Sequence, residues 1–214
     1  MWRPLLSTVF HRACPLCRRP AAGAFCRDCQ RQVTALQLPQ PWRFWQEPLP
    51  MAAWGCYRDA LKRVLGALKY QGKAELARPL GHYLGDLWLT GEHGLALKPA
   101  VVPIPLHAAK LQKRGYNQAE LLARHFCQYV DLPLYSDLLV RQTETQAQHQ
   151  LSPVEREANL AAAFACNGRS HYPRRPVLLL DDIYTTGATA RAAQRVLQQA
   201  GWSVVGILVV ATGR

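Results

Sequence analysis

From Met51 onward, apolar positions recur at two alternating periods. "DALKRVLGALKY" places Leu61, Val64, Leu65 and Leu68 on one helical face, and "NQAELLARHFCQYV" does the same with Ala119, Leu122, Ala123, Phe126 and Val130. A further helix is expected over Ala74 to Leu89, and another over residues 187–200, with Gly201 as its stop. "SPVEREANLAAAF" opens as a helix, with Ser152 as N-cap, Pro153 at the first position and Glu155 completing a capping box. Between these segments lie short apolar runs, "MAAWGCY", "KPAVVPIPL", "PVLLLDD" and "SVVGILVVA", which read as buried strands. Prolines stop the second run, because proline cannot donate to a central ladder. "LPLYSDLLVRQ" is a less regular strand. Strands alternating with helices predict an α/β domain with a mostly parallel sheet.

The pattern changes before Met51. Residues 1–38 have little periodicity and form a first unit. Residues 39–50, "PQPWRFWQEPLP", carry four prolines and two tryptophans and read as a semi-rigid linker to the domain at 51–214.

Composition narrows this picture. The 214 residues suit one ordinary domain with a small appendage, and 49% apolar content supports a sizeable core. The apolar run Val204 to Ala211 is too short to span a bilayer, and "MWRPLLSTVFHRAC" reads as neither signal peptide nor anchor, which predicts the cytoplasm. A net charge of +12 favours polyanionic partners, or simply solvated arginines.

In the first unit, Cys14, Cys17, Cys26 and Cys29 form two C-x-x-C hooks eight residues apart. Four thiolates at this spacing suit a tetrahedral structural Zn²⁺ site, and a module with so little apolar content depends on metal to fold. Arg18, Arg19, Arg27, Arg31 and Arg43 surround it, with Trp42, Phe44 and Trp45 following. Such a set either tracks phosphates and stacks bases of single-stranded DNA, or pins the module to the main domain through its aromatics.

In "VLLLDDIYTTGATA", residues 177–190, an apolar strand runs into Asp181 and Asp182, then into Thr185, Thr186, Gly187, Ala188 and Thr189 at the start of a helix. A helix N-terminus offers unpaired N–H groups to a phosphate, and glycine lets the ligand approach the backbone. Adjacent carboxylates would repel that phosphate but accept hydroxyls beside it. The combination points to a sugar phosphate at the carboxyl end of a strand. No G-x-x-x-x-G-K-[ST] motif occurs, which disfavours a P-loop NTPase.

This stretch resembles the phosphoribosyl pyrophosphate (PRPP) motif of type I phosphoribosyltransferases. The resemblance implies that Asp181 and Asp182 hold the ribose hydroxyls, that the 185–189 loop holds the 5′-phosphate, and that Mg²⁺ accompanies the pyrophosphate. "LKYQGK", "VPIPLHAAKLQKRGYNQAELLA", "RQTETQAQHQLSPVEREANLAAAF" and the cysteine pairs extend the likeness, in order, to the ComF/GntX family. It implies a type I phosphoribosyltransferase fold with an N-terminal zinc module, acting in natural transformation on incoming single-stranded DNA. Such a protein would work at the cytoplasmic side of the inner membrane, beside DNA-uptake or DNA-processing proteins. The alternative is an active Mg²⁺-dependent phosphoribosyltransferase of nucleotide or base salvage.

By the same resemblance, Pro105 and Leu106 belong to a pyrophosphate loop followed by Lys110, Lys113 and Arg114. Arg114, with Asp181 and Asp182, is a catalytic candidate. Arg141, Gln146, Arg156 and Asn159 fall where transferases carry a mobile loop. From the residues alone, Arg114 caps a helix or meets the ligand, and Asn117 is an N-cap or a ligand contact. Lys69 and Lys73 reach phosphate or decorate a helix end.

Overall fold

The computed structural model describes residues 12–46, 48–91, 98–142, 163–167 and 171–213. A two-stranded hairpin, β1 (Arg12–Ala13) with β2 (Pro20–Ala21), leads into α1 (Arg27–Thr34). The main sheet then takes β3 (Met51–Cys56), β4 (Ala100–Pro103), β7 (Val177–Tyr184) and β8 (Val204–Thr212), in the order β3-β8-β7-β4. All neighbours are parallel. Helices α2 (Asp59–Tyr70), α3 (Ala77–Leu89), α4 (Ala108–Arg114), α5 (Gln118–Val130) and α6 (Ala188–Gln199) connect these strands, and a 3-10 turn at Ala74–Leu76 precedes α3.

The pleat divides the core in two. Leu178 and Leu180 of β7 join Leu208 and Val210 of β8 in one cluster with α2, α3 and α5. Val177 and Leu179 join Ile207 and Val209 in the other, against α6. Strand residues alternate faces, so a fully buried sheet must be apolar at consecutive positions, as "VLLL" is.

"LPLYSDLLVRQ" divides into two pieces. Leu134 makes a parallel bridge to Val101 at the β4 edge. β5 (Leu139–Arg141) instead pairs antiparallel with β6 (Phe164–Cys166). The helix expected from Ser152 lies outside the described residues, as does residues 1–11 of the N-terminal stretch.

The β3 edge is covered by the chain preceding it. Leu38 N–H donates to Trp54 O, Cys56 N–H to Leu36 O and Met51 N–H to Phe44 O, at 2.8–2.9 Å. Trp42 meets Trp45 edge-on at 4.9 Å and lies 6.2 Å from Trp88 of α3. A methyl group on Gly206 would come within 2.6 Å of the Trp45 ring, so glycine there admits the indole. The two tryptophans thus pin residues 39–46 to the sheet, which blunts an exposed edge.

Candidate functional site

At the carboxyl ends of β4 and β7, a cavity of about 320 Å³ opens between Ile104, Pro105 and Leu106 on one side and Asp181, Asp182, Thr185 and Thr189 on the other. Tyr57, Lys69, Gln118 and Arg141 complete its wall. A smaller recess beside it is formed by Asp181 and residues 183–190. The backbone there turns at Gly187, the N-cap of α6, in the left-handed conformation with φ 79°. The conformation calls for glycine, and a Cβ at that position would also have to displace the Tyr184 hydroxyl. Ala188 N–H donates to Thr186 Oγ1 at 3.4 Å, and Arg191 holds Thr186 O at 3.0 Å. The remaining donors of the helix start, with the positive end of its dipole, form a cup for an anion.

The two acids are unlike each other. Asp182 continues the Leu178–Leu180 face and is 3% exposed. Lys69 Nζ, from the last turn of α2, lies 2.5 Å from its Oδ2, and Gln118 Nε2, from the first turn of α5, lies 3.5 Å from Oδ1. The ammonium is an ion-pair partner of Oδ2 by distance, although it is not aligned as a hydrogen-bond donor to that atom. Asp181 continues the other face, is half-buried, and lines both the cavity and the recess. Burial and the adjacent Asp182 charge raise its carboxyl well above the usual value of 3.8. Asp182 is thus committed to the protein's own cation, while Asp181 is the acid turned to a ligand.

Arg114 is not among the residues lining the cavity. It donates to Gln118 Oε1, and its guanidinium sits 5.5 Å from the centre of the Tyr70 ring. It therefore reaches Asp182 through Gln118. Asn117 caps α5 by accepting from Ala119 N–H at 3.1 Å, while its amide donates to Ile104 O at 3.0 Å. One side chain both starts a helix and tethers the loop of Pro105 and Leu106. Lys110 and Lys113 stand on a helix, α4, capped by His107 and ended by Gly115. Lys73 is exposed beside Glu75 at 4.0 Å.

Tyr57 and Gln118 enter the cavity wall without a ligand role read for them from the sequence, whereas Lys69, weighed there between phosphate and a helix end, pairs with Asp182. For Lys69 a signal existed: it falls four residues after the fully buried Leu65, at the margin of the apolar stripe of α2. Arg141 ends β5 in the cavity wall. Gln146, Arg156 and Asn159 lie outside the described residues.

The cysteine hooks meet. The first lies in the turn between β1 and β2, where Arg18 N–H donates to Cys14 O at 2.8 Å; the second spans the N-terminus of α1. The four Sγ atoms of Cys14, Cys17, Cys26 and Cys29 lie within 4.8 Å of one another, so this donor set can hold a metal ion. Arg19 Nε donates to Cys17 Sγ at 3.4 Å and brings that thiol down to about 6, towards the thiolate that a metal takes. Cys14, Cys26 and Cys29 also pack with Phe25, Val33 and Leu36 in the core shared with Trp54 and α2. Gln30 of α1 donates to Tyr83 Oη, and the Tyr83 ring stacks on Trp54 at 4.6 Å.

The parallel sheet, the acid pair at a strand end and the hydroxyl-rich turn into α6 define an α/β protein of the type I phosphoribosyltransferase fold, with a small N-terminal four-cysteine module. No family model matches the chain. It is 29% identical to competence protein F of Haemophilus influenzae over 92% of this chain and 95% of that protein. Competence protein ComFC of Bacillus subtilis is 30% identical over 93% of this chain and 77% of the relative. DNA utilization protein YhgH of Escherichia coli is 30% identical over 90% and 80%. The chain belongs to the ComF family.

Among solved structures, the fold is similar to adenine phosphoribosyltransferase of Trypanosoma brucei, with 10% identity and a TM-score of 0.42 over 86% of this chain and 67% of that one. Orotate phosphoribosyltransferase of Aeropyrum pernix gives 20% identity and 0.36 over 71% and 64%. Likeness of this size is too slight to assign a substrate. Among the described residues, no helix is long and apolar enough to cross a membrane.

Proposed function

We propose that this chain binds PRPP and acts, as a phosphoribosyltransferase-like member of its family, in handling incoming single-stranded DNA during natural transformation. The observation that carries the sugar-phosphate part is Asp181 shared between two adjoining hollows, the cavity walled by Pro105 and Leu106 and the recess of the helix-start cup at 185–189. Asp181 accepts ribose hydroxyls, with Asp182 beside it held in place by Lys69 and Gln118. The cup takes the 5′-phosphate through backbone N–H groups and the hydroxyls of Thr185, Thr186 and Thr189. Pyrophosphate falls to the Pro105–Leu106 loop. Mg²⁺ bound with it would neutralise the leaving group, and the oxygen donor of Asp181 suits such a hard cation. Zinc is the metal that the four thiols fit best. The DNA role rests on the names of the relatives and on the +12 charge. The working place that follows is the cytoplasmic side of the inner membrane, beside DNA-uptake proteins.

Calorimetry with PRPP and Mg²⁺ tests the cavity. Binding is expected in the native protein and absent when Asp181 and Asp182 are both changed to Asn; equal binding in that variant sinks the assignment. Pyrophosphate release on adding nucleobases or oligonucleotides then reports whether binding proceeds to transfer.

A further inference from the structure

Two features at the rim of the cavity remain unused by PRPP. Tyr70, at the end of α2, is 78% exposed, the most exposed large apolar side chain among the described residues. Helix α4 buries none of its seven residues. So short a helix is marginal in water unless something holds it. Here its ends do so: His107 Nδ1 accepts from Ala109 N–H at 3.2 Å, Gly115 closes the last turn, and Arg114 binds Gln118. The chain thus orders a helix whose sides meet nothing that it buries.

Position and charge indicate what meets them. Leu106 lines the cavity immediately before the cap of α4, and Arg114 at the other end stands 5.5 Å from the centre of the Tyr70 ring and leaves it exposed. Lys110, Leu111 and Arg114 share a face by their spacing, with Lys113 beside them and no acid in the helix. Leu111 is also exposed, at 42%. The nearby acids are engaged: Glu75 with Lys73, and Glu120 with Arg124 at 3.1 Å.

We infer that Tyr70 and helix α4 form a docking platform for single-stranded nucleic acid at the mouth of the sugar-phosphate cavity. This rests on the DNA partner proposed above and assigns it a place. An exposed ring stacks an unpaired base whatever its identity, and the lysines on the adjoining helix follow the phosphates. Seven residues span about 10 Å, which carries the strand from the ring to the cavity wall. Among the described residues, the cysteine module and the chain after it offer arginines but no ring as exposed as Tyr70, since Trp42 and Trp45 pack against the core. Duplex DNA keeps its bases stacked and leaves Tyr70 without a partner.

The test is fluorescence anisotropy of the full chain with a labelled oligothymidine of about 20 nucleotides, a length that covers one or more such sites. Tyr70→Ala is expected to weaken binding about tenfold, and Tyr70→Phe to retain it within about twofold, since stacking needs the ring alone. Lys110→Glu with Lys113→Glu is expected to weaken binding and reduce the slope of log affinity against log salt by about 1.4, for two phosphates lost. Both sites lie on unburied surface, and thermal unfolding checks that the variants fold.

Any of three results overturns the proposal: affinities within about twofold of the parent in both Tyr70→Ala and the lysine variant, equal affinity for duplex, or loss confined to Arg27→Glu with Arg31→Glu. Capture by phosphatidylglycerol vesicles that falls in the same variants, with no oligonucleotide bound, would also overturn it. PRPP titration of the parent protein is read separately. A parent that binds PRPP but no oligonucleotide defeats the platform and spares the cavity; the reverse defeats the cavity and spares the platform.

Discussion

The cysteine module draws its four ligand atoms from residues 14–29, whereas the cavity at the sheet end draws Lys69, Gln118, Arg141 and Asp182 from four separate elements. In the module a hairpin turn and a helix start suffice to bring the sulfurs together. In the cavity nothing local does so. Lys69 reaches Asp182 only because α2 packs Leu65 and Leu68 onto the face that carries Leu180. The difference teaches where each site is vulnerable. The module is a ligand set with a little core attached, and the cavity is a core with a ligand set at its margin.

The largest effect is expected from removing the metal. Cys26→Ser with Cys29→Ser should leave far less than one zinc per chain. Because α1 shares a core with β3 and α2, the whole chain should melt about 10 °C lower, equivalent to about 3–4 kcal/mol at this size. Differential scanning calorimetry with and without chelator measures it. An unchanged main transition would mean that the two regions are energetically separate.

On the cavity side, Lys69→Met leaves the buried Asp182 without its cation. A loss of about 3 kcal/mol is expected in denaturant unfolding, the low end for a broken buried pair because the Lys69 side chain is 17% exposed. Most of it should return in the double variant Lys69→Met with Asp182→Asn. A double variant as unstable as the single one would break the pairing argument.

Gly187→Ala is expected to be milder, about 1–3 kcal/mol for a left-handed residue with a crowded Cβ. PRPP affinity should fall about tenfold as the cup distorts, as read by calorimetry.

The smallest effect concerns pH. With its folded value raised, Asp181 holds its proton in the native state at pH values where the unfolded chain has lost it. Its contribution to stability is therefore greatest at low pH and declines as pH rises from about 3.8 through the raised value. Asp181→Asn should stabilise the protein modestly at pH 7 and less at pH 4.5, while removing PRPP binding. Destabilisation at pH 7 would show that the bond from Asp182 N–H to Asp181 Oδ1, at 2.8 Å, outweighs the cost of the buried charge.

Much of this was legible before the fold. The helices at α2, α3, α5 and α6 and the four main strands follow from apolar period, because burial on one face or two imposes that period on any sequence. The cysteine hooks and the DDIYTTGATA turn were legible because their groups meet within a few residues. Helix α4 was not: with no buried face it has no apolar stripe to announce it, only a cap and a closing glycine. "LPLYSDLLVRQ" suggested one strand where two short pairings form, since pairing partners such as Val101 and Ala165 lie outside any local window.

The sequence alone determined which groups lie at the end of β7, since adjacency along the chain is covalent. Only the tertiary structure decided what each one does. The pleat sends Asp182 to the α2–α5 face, where Lys69 and Gln118 claim it, and leaves Asp181 facing the recess at α6. Two identical neighbouring residues thereby acquire different partners, because a one-residue step along a strand reverses the side of the sheet.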